Sequence, residues 1–249
     1  MLTEEHVLAN TLSTSNKDKF TTIINVDGVI DSVGNNAIVR LLRSIAASQS
    51  AHSVRTKVEQ IIQSENKHFQ FQIHVIWSST SKPRKSYFAK IVKKLPIKVF
   101  EAANFSSALE QRFLHSDQFQ TDAILSVDHN TILSTDEIDF MFSVWKHFPE
   151  RINGIAARSH YWDSIKKQWK YSSKWSNEYS MVNLNGAVYH RFYHDLFLNQ
   201  SPVFLSTVNA KPECVDLALN FVVSRYTAKP PIKTTQRKET TINSKRKDR

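Results

Sequence analysis

An α/β fold with a mixed, mostly parallel sheet flanked by helices is what this sequence predicts, on three observations. Short β-branched or apolar runs alternate with helix-period segments in the order βαβαβαβα as far as Trp145, the pattern of a parallel sheet covered on both faces. The run Ala123-Ile124-Leu125-Ser126-Val127 stops at Asp128-His129-Asn130 and is followed by a helix-start signal, as at the carboxyl edge of such a sheet. No internal repeat or interior linker interrupts the chain, so residues 19–228 read as one domain, after a polar lead-in over 1–18 and before a basic tail over 229–249.

The elements follow in order. Phe20 to Val26 is β-branched and short, as suits a buried first strand. Asn36 to Ala47 places Ile38, Leu41, Leu42 and Ile45 on one helical face. Phe69 to Trp77 reads as the second strand, Pro83 to Lys94 as a basic helix, Ile97 to Phe100 as the third strand and Phe105 to Leu114 as a helix. The fourth strand ends at Asp128. Beyond it, Ser134 and Glu137 have capping-box spacing, and Ile138, Met141, Phe142 and Trp145 recur at helical intervals. Asn153 to Arg158 is strand-like, the aromatic segment Tyr161 to Trp175 reads as a hairpin or flap, and Glu178 to Leu184 and Ala187 to His190 read as strands. Pro212 and Glu213 introduce a last helix, on which Asp216 is the only acid among Val215, Leu217, Leu219, Phe221, Val222 and Val223.

Composition narrows the chemistry. The four glycines, Gly28, Gly34, Gly154 and Gly186, are scattered, whereas glycine-rich phosphate loops need them clustered for close backbone approach. The single cysteine, Cys214, permits neither a disulfide within the chain nor a thiolate metal cluster. The formal charge is +10. Much of it lies from Lys229 onward, where eight lysines and arginines face only Glu239 and Asp248. That stretch is too polar to form a core and reads as disordered. The body is only modestly basic, so no nucleic-acid partner is expected. No run approaches the roughly 18 apolar residues of a membrane span, and the N-terminus, with Glu4, Glu5 and His6, lacks a signal-peptide core.

Two residues stand out on chemistry alone. Asp128 ends a buried strand where it could meet a sugar hydroxyl, a ribose or a cation, or simply cap a polar turn. Asp216 sits on an otherwise apolar helix, where an unpartnered buried carboxylate costs several kcal/mol and needs a reason. The aromatics Tyr161, Trp162, Trp169, Tyr171 and Trp175 could form a sugar-stacking platform or the core of a hairpin.

Taken together, four segments resemble the exostosin-type glycosyltransferases of glycosyltransferase family 64. They are Thr121 to Asn130 with the helix to Trp145; Gly154 to Arg158 with His160; Glu178-Tyr179-Ser180-Met181-Val182; and Cys214-Val215-Asp216-Leu217-Ala218-Leu219-Asn220-Phe221. The resemblance covers about Phe20 to Thr227 and is strongest from Thr121 onward. It implies a GT-A-type fold, and a retaining transferase that moves a sugar, most simply an N-acetylhexosamine, from a UDP-sugar to a glycan or glycolipid acceptor, usually with Mn2+. It also implies placement in the Golgi or endoplasmic reticulum lumen, and a homo- or hetero-oligomer.

Carried over by residue, the resemblance implies that Asp128 and Asn130 occupy the metal motif and that Asp216 is the catalytic acid at the reacting face. Arg112, Gln111, Ser78 and Arg158 would join Asp128 in contacting the donor, and His160 and Trp175 would approach the acceptor. His129-Asn130 stand where the family has two acids. An amide oxygen is a weaker ligand for a hard cation than a carboxylate, so the alternative implied is a degenerate pseudo-glycosyltransferase serving as a binding or partner subunit.

Overall fold

A computed structural model describes residues 20–26, 32–48, 73–77, 97–101, 109, 112–172 and 178–234. The lead-in, the basic helix expected from Pro83, and residues Ser78, Gln111 and Trp175 lie outside this set.

Seven strands form the main sheet. β1 (Phe20–Val26) pairs in parallel with β2 (Ile73–Trp77) on one side and β4 (Ala123–Asp128) on the other, and β2 pairs with β3 (Ile97–Glu101). On the far side of β4, β9 (Ala187–His190) runs antiparallel, followed by β5 (Asn153–Gly154) and β10 (Ile232–Lys233). The mixed, mostly parallel α/β sheet expected from the sequence is therefore present, in the order β10-β5-β9-β4-β1-β2-β3. Helices α1 (Ser32–Ala47) and α2 (Thr135–His147) cover one face. α3 (Phe192–Leu198), α4 (Pro202–Ala210) and α5 (Val215–Thr227) cover the other.

The alternation along β4 explains how both faces become core. Ala123, Leu125 and Val127 face Ile38, Leu42, Phe142 and Trp145, while Ile124 faces Phe119, Tyr189 and Tyr193. A strand buried on both sides reads as a continuous apolar run, which is how it appears in the sequence. α2 starts where its capping box requires. The Ser134 hydroxyl accepts from Glu137 N–H at 3.3 Å, and the Glu137 carboxylate accepts from Ser134 N–H at 2.8 Å.

Three expectations need correction. The stretch Asn153 to Arg158 is not one strand: Asn153–Gly154 joins the main sheet, and Ala157–Asp163 (β6) begins a second, antiparallel sheet with β7 (Gln168–Ser172) and β8 (Met181–Val182). The strand expected over Glu178 to Leu184 is only the two-residue β8, because the chain turns at Asn185 and Gly186 to enter β9. At Gly186, φ is +91° and a Cβ would lie 2.7 Å from the Ile155 side chain, so glycine is required there.

The third correction concerns the tail, whose first residues are ordered. Ile232 N–H donates to Ile152 O at 2.8 Å and Thr234 N–H donates to Gly154 O at 2.9 Å, adding β10 at the sheet edge. Arg151 donates to the Pro230 carbonyl at 2.6 Å, and Lys229 pairs with Glu150 at 3.1 Å. Edge pairing uses backbone groups, which a polar composition does not disclose, and the two prolines pre-set an extended approach. Residues 235–249 are not among those described.

Asn220 fixes α5 against β8. Its amide accepts from Val182 N–H at 3.1 Å and donates to Val182 O at 2.8 Å and Asp216 O at 2.7 Å, all in a buried position. Asn220→Ala strands both polar groups of Val182. The expected loss is about 1–3 kcal/mol, read as a lower urea midpoint at unchanged m-value.

Candidate functional site

The carboxyl end of β4 is held from three directions. β1–β4 pairing places Asp128 opposite Asn25, and His129 N–H donates to Asn25 O at 2.8 Å. Asp128 N–H donates to Thr131 Oγ1 at 3.2 Å and to Asn185 Oδ1 at 3.3 Å, and the Thr131 hydroxyl also bonds Asn185. Asn185 was not apparent as a site residue from the sequence. It is placed by Gly186, whose N–H donates to Ser126 O at 3.0 Å, so the turn into β9 braces the strand end beside Asp128.

Arg112 lies between the two acids singled out from the sequence. Its Nη1 is 3.8 Å from Asp128 Oδ1 and its Nη2 is 3.6 Å from Asp216 Oδ1. The three side chains retain 20%, 28% and 30% of their accessible surface, so the cluster is half-buried. Next to the arginine, Phe113 N–H donates to Leu109 O at 2.8 Å. Phe113 packs on Phe197 with ring centroids 4.4 Å apart.

A buried relay pins the same segment. His194 Nδ1–H donates to Leu114 O at 2.8 Å, which leaves Nε2 to accept from the Tyr189 hydroxyl at 3.1 Å. Burial holds His194 neutral by lowering its pKa to about 4, and pushes the Tyr189 hydroxyl up, so the relay is uncharged around neutral pH.

Burial raises the Asp216 pKa from the ordinary carboxylate value; Arg112, the Leu184 backbone and Arg158 act in the opposite sense. Asp216 is thus a carboxylate in a poorly solvated place, kept usable by two arginines. Arg158 donates from Nε to Asn183 Oδ1 at 3.1 Å, and its guanidinium lies 5.5 Å from the Tyr171 ring centre. His160 stands two residues further along β6. Its Nδ1 and backbone N–H both meet Ser180 Oγ, at 2.6 and 2.9 Å.

Of the residues expected at the site, Asp128, Arg112, Asp216 and Arg158 come together, and His160 lies alongside. Asn130 is exposed in the turn after β4. At the position expected for the metal motif, Asp128 Oδ1 is 3.8 Å from the Arg112 guanidinium and Asn130 offers an amide, a weaker ligand for a hard cation than a carboxylate.

The sequence profile of the glycosyl transferase family 64 domain matches residues 39–248. Exostosin-1 of Bos taurus is 45% identical over 169 residues, covering 68% of this chain and 22% of that protein. Exostosin-1a of Danio rerio is 46% identical over 169 residues, covering 68% of this chain and 23% of that protein. Exostosin-1 of Drosophila melanogaster is 52% identical over 132 residues, covering 53% of this chain and 17% of that protein. The chain therefore spans about a fifth of the length of such relatives. Among solved structures, a CMP:2-keto-3-deoxy-manno-octonic acid synthetase complexed with CTP superposes with TM-score 0.45 at 6% identity, over 81% of this chain and 87% of that one.

Proposed function

The chain belongs to glycosyltransferase family 64, and on that premise we propose that it binds a UDP-sugar and transfers the sugar, an N-acetylhexosamine, with retention to a glycan or glycolipid acceptor. The observation that supports this reading best is Arg112 set between Asp128 and Asp216. A departing nucleoside diphosphate gains negative charge as the glycosidic bond breaks. Fixed guanidinium groups stabilise that charge where it forms, with no reorganisation at the moment of reaction.

Arg112 suits the task. Its Nε–H has no hydrogen-bond acceptor among the described residues, and a guanidinium fork matches phosphate oxygens. Arg158 adds a second positive charge on the Asp216 side. Asp128 would accept from a donor hydroxyl, and Asp216 from a hydroxyl of the reacting sugar or the acceptor. The protein's own cations, rather than tightly held manganese, are proposed to carry donor binding. Action in the secretory pathway, in the Golgi or endoplasmic reticulum lumen, belongs to the same proposal. No helix among the described residues is long and apolar enough to cross a membrane.

Incubating the chain with UDP-N-acetylhexosamine and glycan acceptors, with mass-spectrometric detection, tests the reading. Extension with retained anomeric configuration is the expected product, and UDP binding without any transfer or hydrolysis would overturn it. That contrary outcome is the second reading, a pseudoenzyme that retains the cleft, and Asn130 in place of an acid is the observation that favours it. Asn130→Asp restores a carboxylate beside Asp128, and the expected result is tighter UDP binding in manganese but not in EDTA, by roughly tenfold for one added charge–cation contact.

A further inference from the structure

The β6–β7 hairpin carries its apolar residues on the outside. Ile165, in the turn at its tip, is 91% exposed, the most exposed large apolar side chain among the described residues. Behind it stand Trp162 at 52%, Trp169 at 67% and Tyr161 at 46%. The pairing Trp162↔Trp169 puts both indoles on one face, where they meet edge to face at 5.6 Å, since cross-strand partners share a face. Tyr161, paired with Lys170, lies on the opposite face. Aromatic rings therefore flank the hairpin on both sides just behind the turn, and an aliphatic side chain stands at its end.

The turn is preformed and basic. Asp163 Oδ1 accepts from the Ile165 and Lys166 N–H groups, each at 3.0 Å, and Lys167 takes the left-handed backbone, with φ +48°. Asp163 is the only acid from Ala157 to Ser172, and its other oxygen pairs with Lys170 at 2.6 Å. Both carboxylate oxygens are thus engaged within the hairpin, while Lys166 and Lys167 are exposed beside Ile165.

Exposed apolar surface gathered in one place marks an interaction site. A partner lying flat on the hairpin would cover one face and leave either the indoles or Tyr161 in water. A medium that surrounds the end of the hairpin uses both faces and the tip at once. Trp and Tyr settle at the boundary between the apolar and polar layers of a bilayer. Lysines beside them lay their stems along apolar surface and carry their charge to anionic headgroups.

We propose that the β6–β7 hairpin inserts end-on into the surface of an anionic phospholipid bilayer. Ile165 enters the acyl boundary, Trp162, Trp169 and Tyr161 lie at headgroup level, and Lys166 and Lys167 pair with lipid phosphates and carboxylates. The contact is peripheral, within the interface and not across it. It needs neither donor nor turnover, so it stands or falls apart from the transferase reading. β6 runs from the tip back to Arg158, which acts on Asp216. Insertion therefore holds the candidate site roughly 15 Å from the headgroups, by strand rise.

The test is sedimentation of the full chain with vesicles of phosphatidylcholine and phosphatidylserine, about two to one. The wild type is expected to bind, and Ile165→Asp and Lys166→Glu/Lys167→Glu each to weaken binding at least about tenfold. Residues 229–249 are also basic and are present in every variant, so the differences report the hairpin alone. Each substituted side chain is exposed, so the variants keep the fold. No binding by the wild type, or equal binding by the wild type and both variants, would overturn the proposal. Vesicles with brominated acyl chains should quench the wild-type tryptophan fluorescence, and Trp162→Phe/Trp169→Phe should remove most of that quenching. A wild type left unquenched would contradict insertion. Oligosaccharide binding or self-association that Ile165→Asp abolishes, with no vesicle binding, would assign the tip to a glycan or a second copy and overturn the proposal.

Discussion

Asp216→Asn is expected to abolish transfer while leaving the protein at least as stable as the wild type. Burial is the largest influence on this carboxyl and raises its pKa, so the folded state pays for keeping it ionised at neutral pH. A carboxyl whose folded pKa lies above its unfolded value contributes stability only where it is protonated, and that contribution is lost as pH rises through the folded pKa. A neutral amide of the same shape removes that cost, so Tm should hold or rise.

Activity should move the other way. The amide cannot accept a hydroxyl proton or balance developing positive charge on the reacting sugar. Loss of one such preorganised group costs on the order of 100-fold or more in kcat. UDP affinity should change little, because Arg112 keeps Asp128 as its partner. A stable, donor-binding, inactive variant is the signature of an acid retained for chemistry. Retained turnover would reassign Asp216 to packing.

Acid should unfold the domain earlier than its carboxylates alone would require. His74, His190 and His194 are buried, and burial lowers each from the ordinary 6.5 to about 4. Below pH 6.5 the unfolded chain takes up protons that the native state refuses, so stability is full above that value and falls as pH drops toward the folded pKa near 4. Each histidine contributes a slope of up to about 1.4 kcal/mol per pH unit, and the three together remove about 6 kcal/mol by pH 5, comparable to the whole stability of many domains. Urea midpoints should be level from pH 8 to 7 and fall steeply below 6.5. His190→Gln should remove about a third of the slope, since its pKa shift is similar to the other two. A midpoint that stays level down to pH 5 would show that these rings titrate normally.

The parts of the fold that depend on local pattern were legible in the sequence. β4, the turn at Asp128 and α2 follow from an apolar run, a capping box and a helical period, all within neighbouring residues. Two-residue strands such as β8 and β10 carry no period, and β10 forms through backbone bonds to Ile152 and Gly154 that side-chain composition does not encode. At the site, Asp128, Arg112, Asp216 and Arg158 were expected to meet around the donor, but the ion pairs of Arg112 with both acids were not legible. They depend on how α5 and the segment carrying Arg112 approach β4. Asn185 was missed because an asparagine before a glycine reads as ordinary turn chemistry; its role appears only when β9 lies beside β4. The alternation of Arg158, His160 and Trp162 already places three recognition-type side chains on one strand face.

Arg112 is the cation proposed to receive the donor, and the rest of the proposed function depends on it. Calorimetric titration of UDP into the wild type and Arg112→Gln, each in EDTA and in manganese, measures this. The wild type should bind UDP in EDTA, and Arg112→Gln should lose at least about tenfold in affinity in both buffers, as expected for removal of a charge-assisted phosphate contact. Binding that requires manganese and is indifferent to the loss of Arg112 would contradict it.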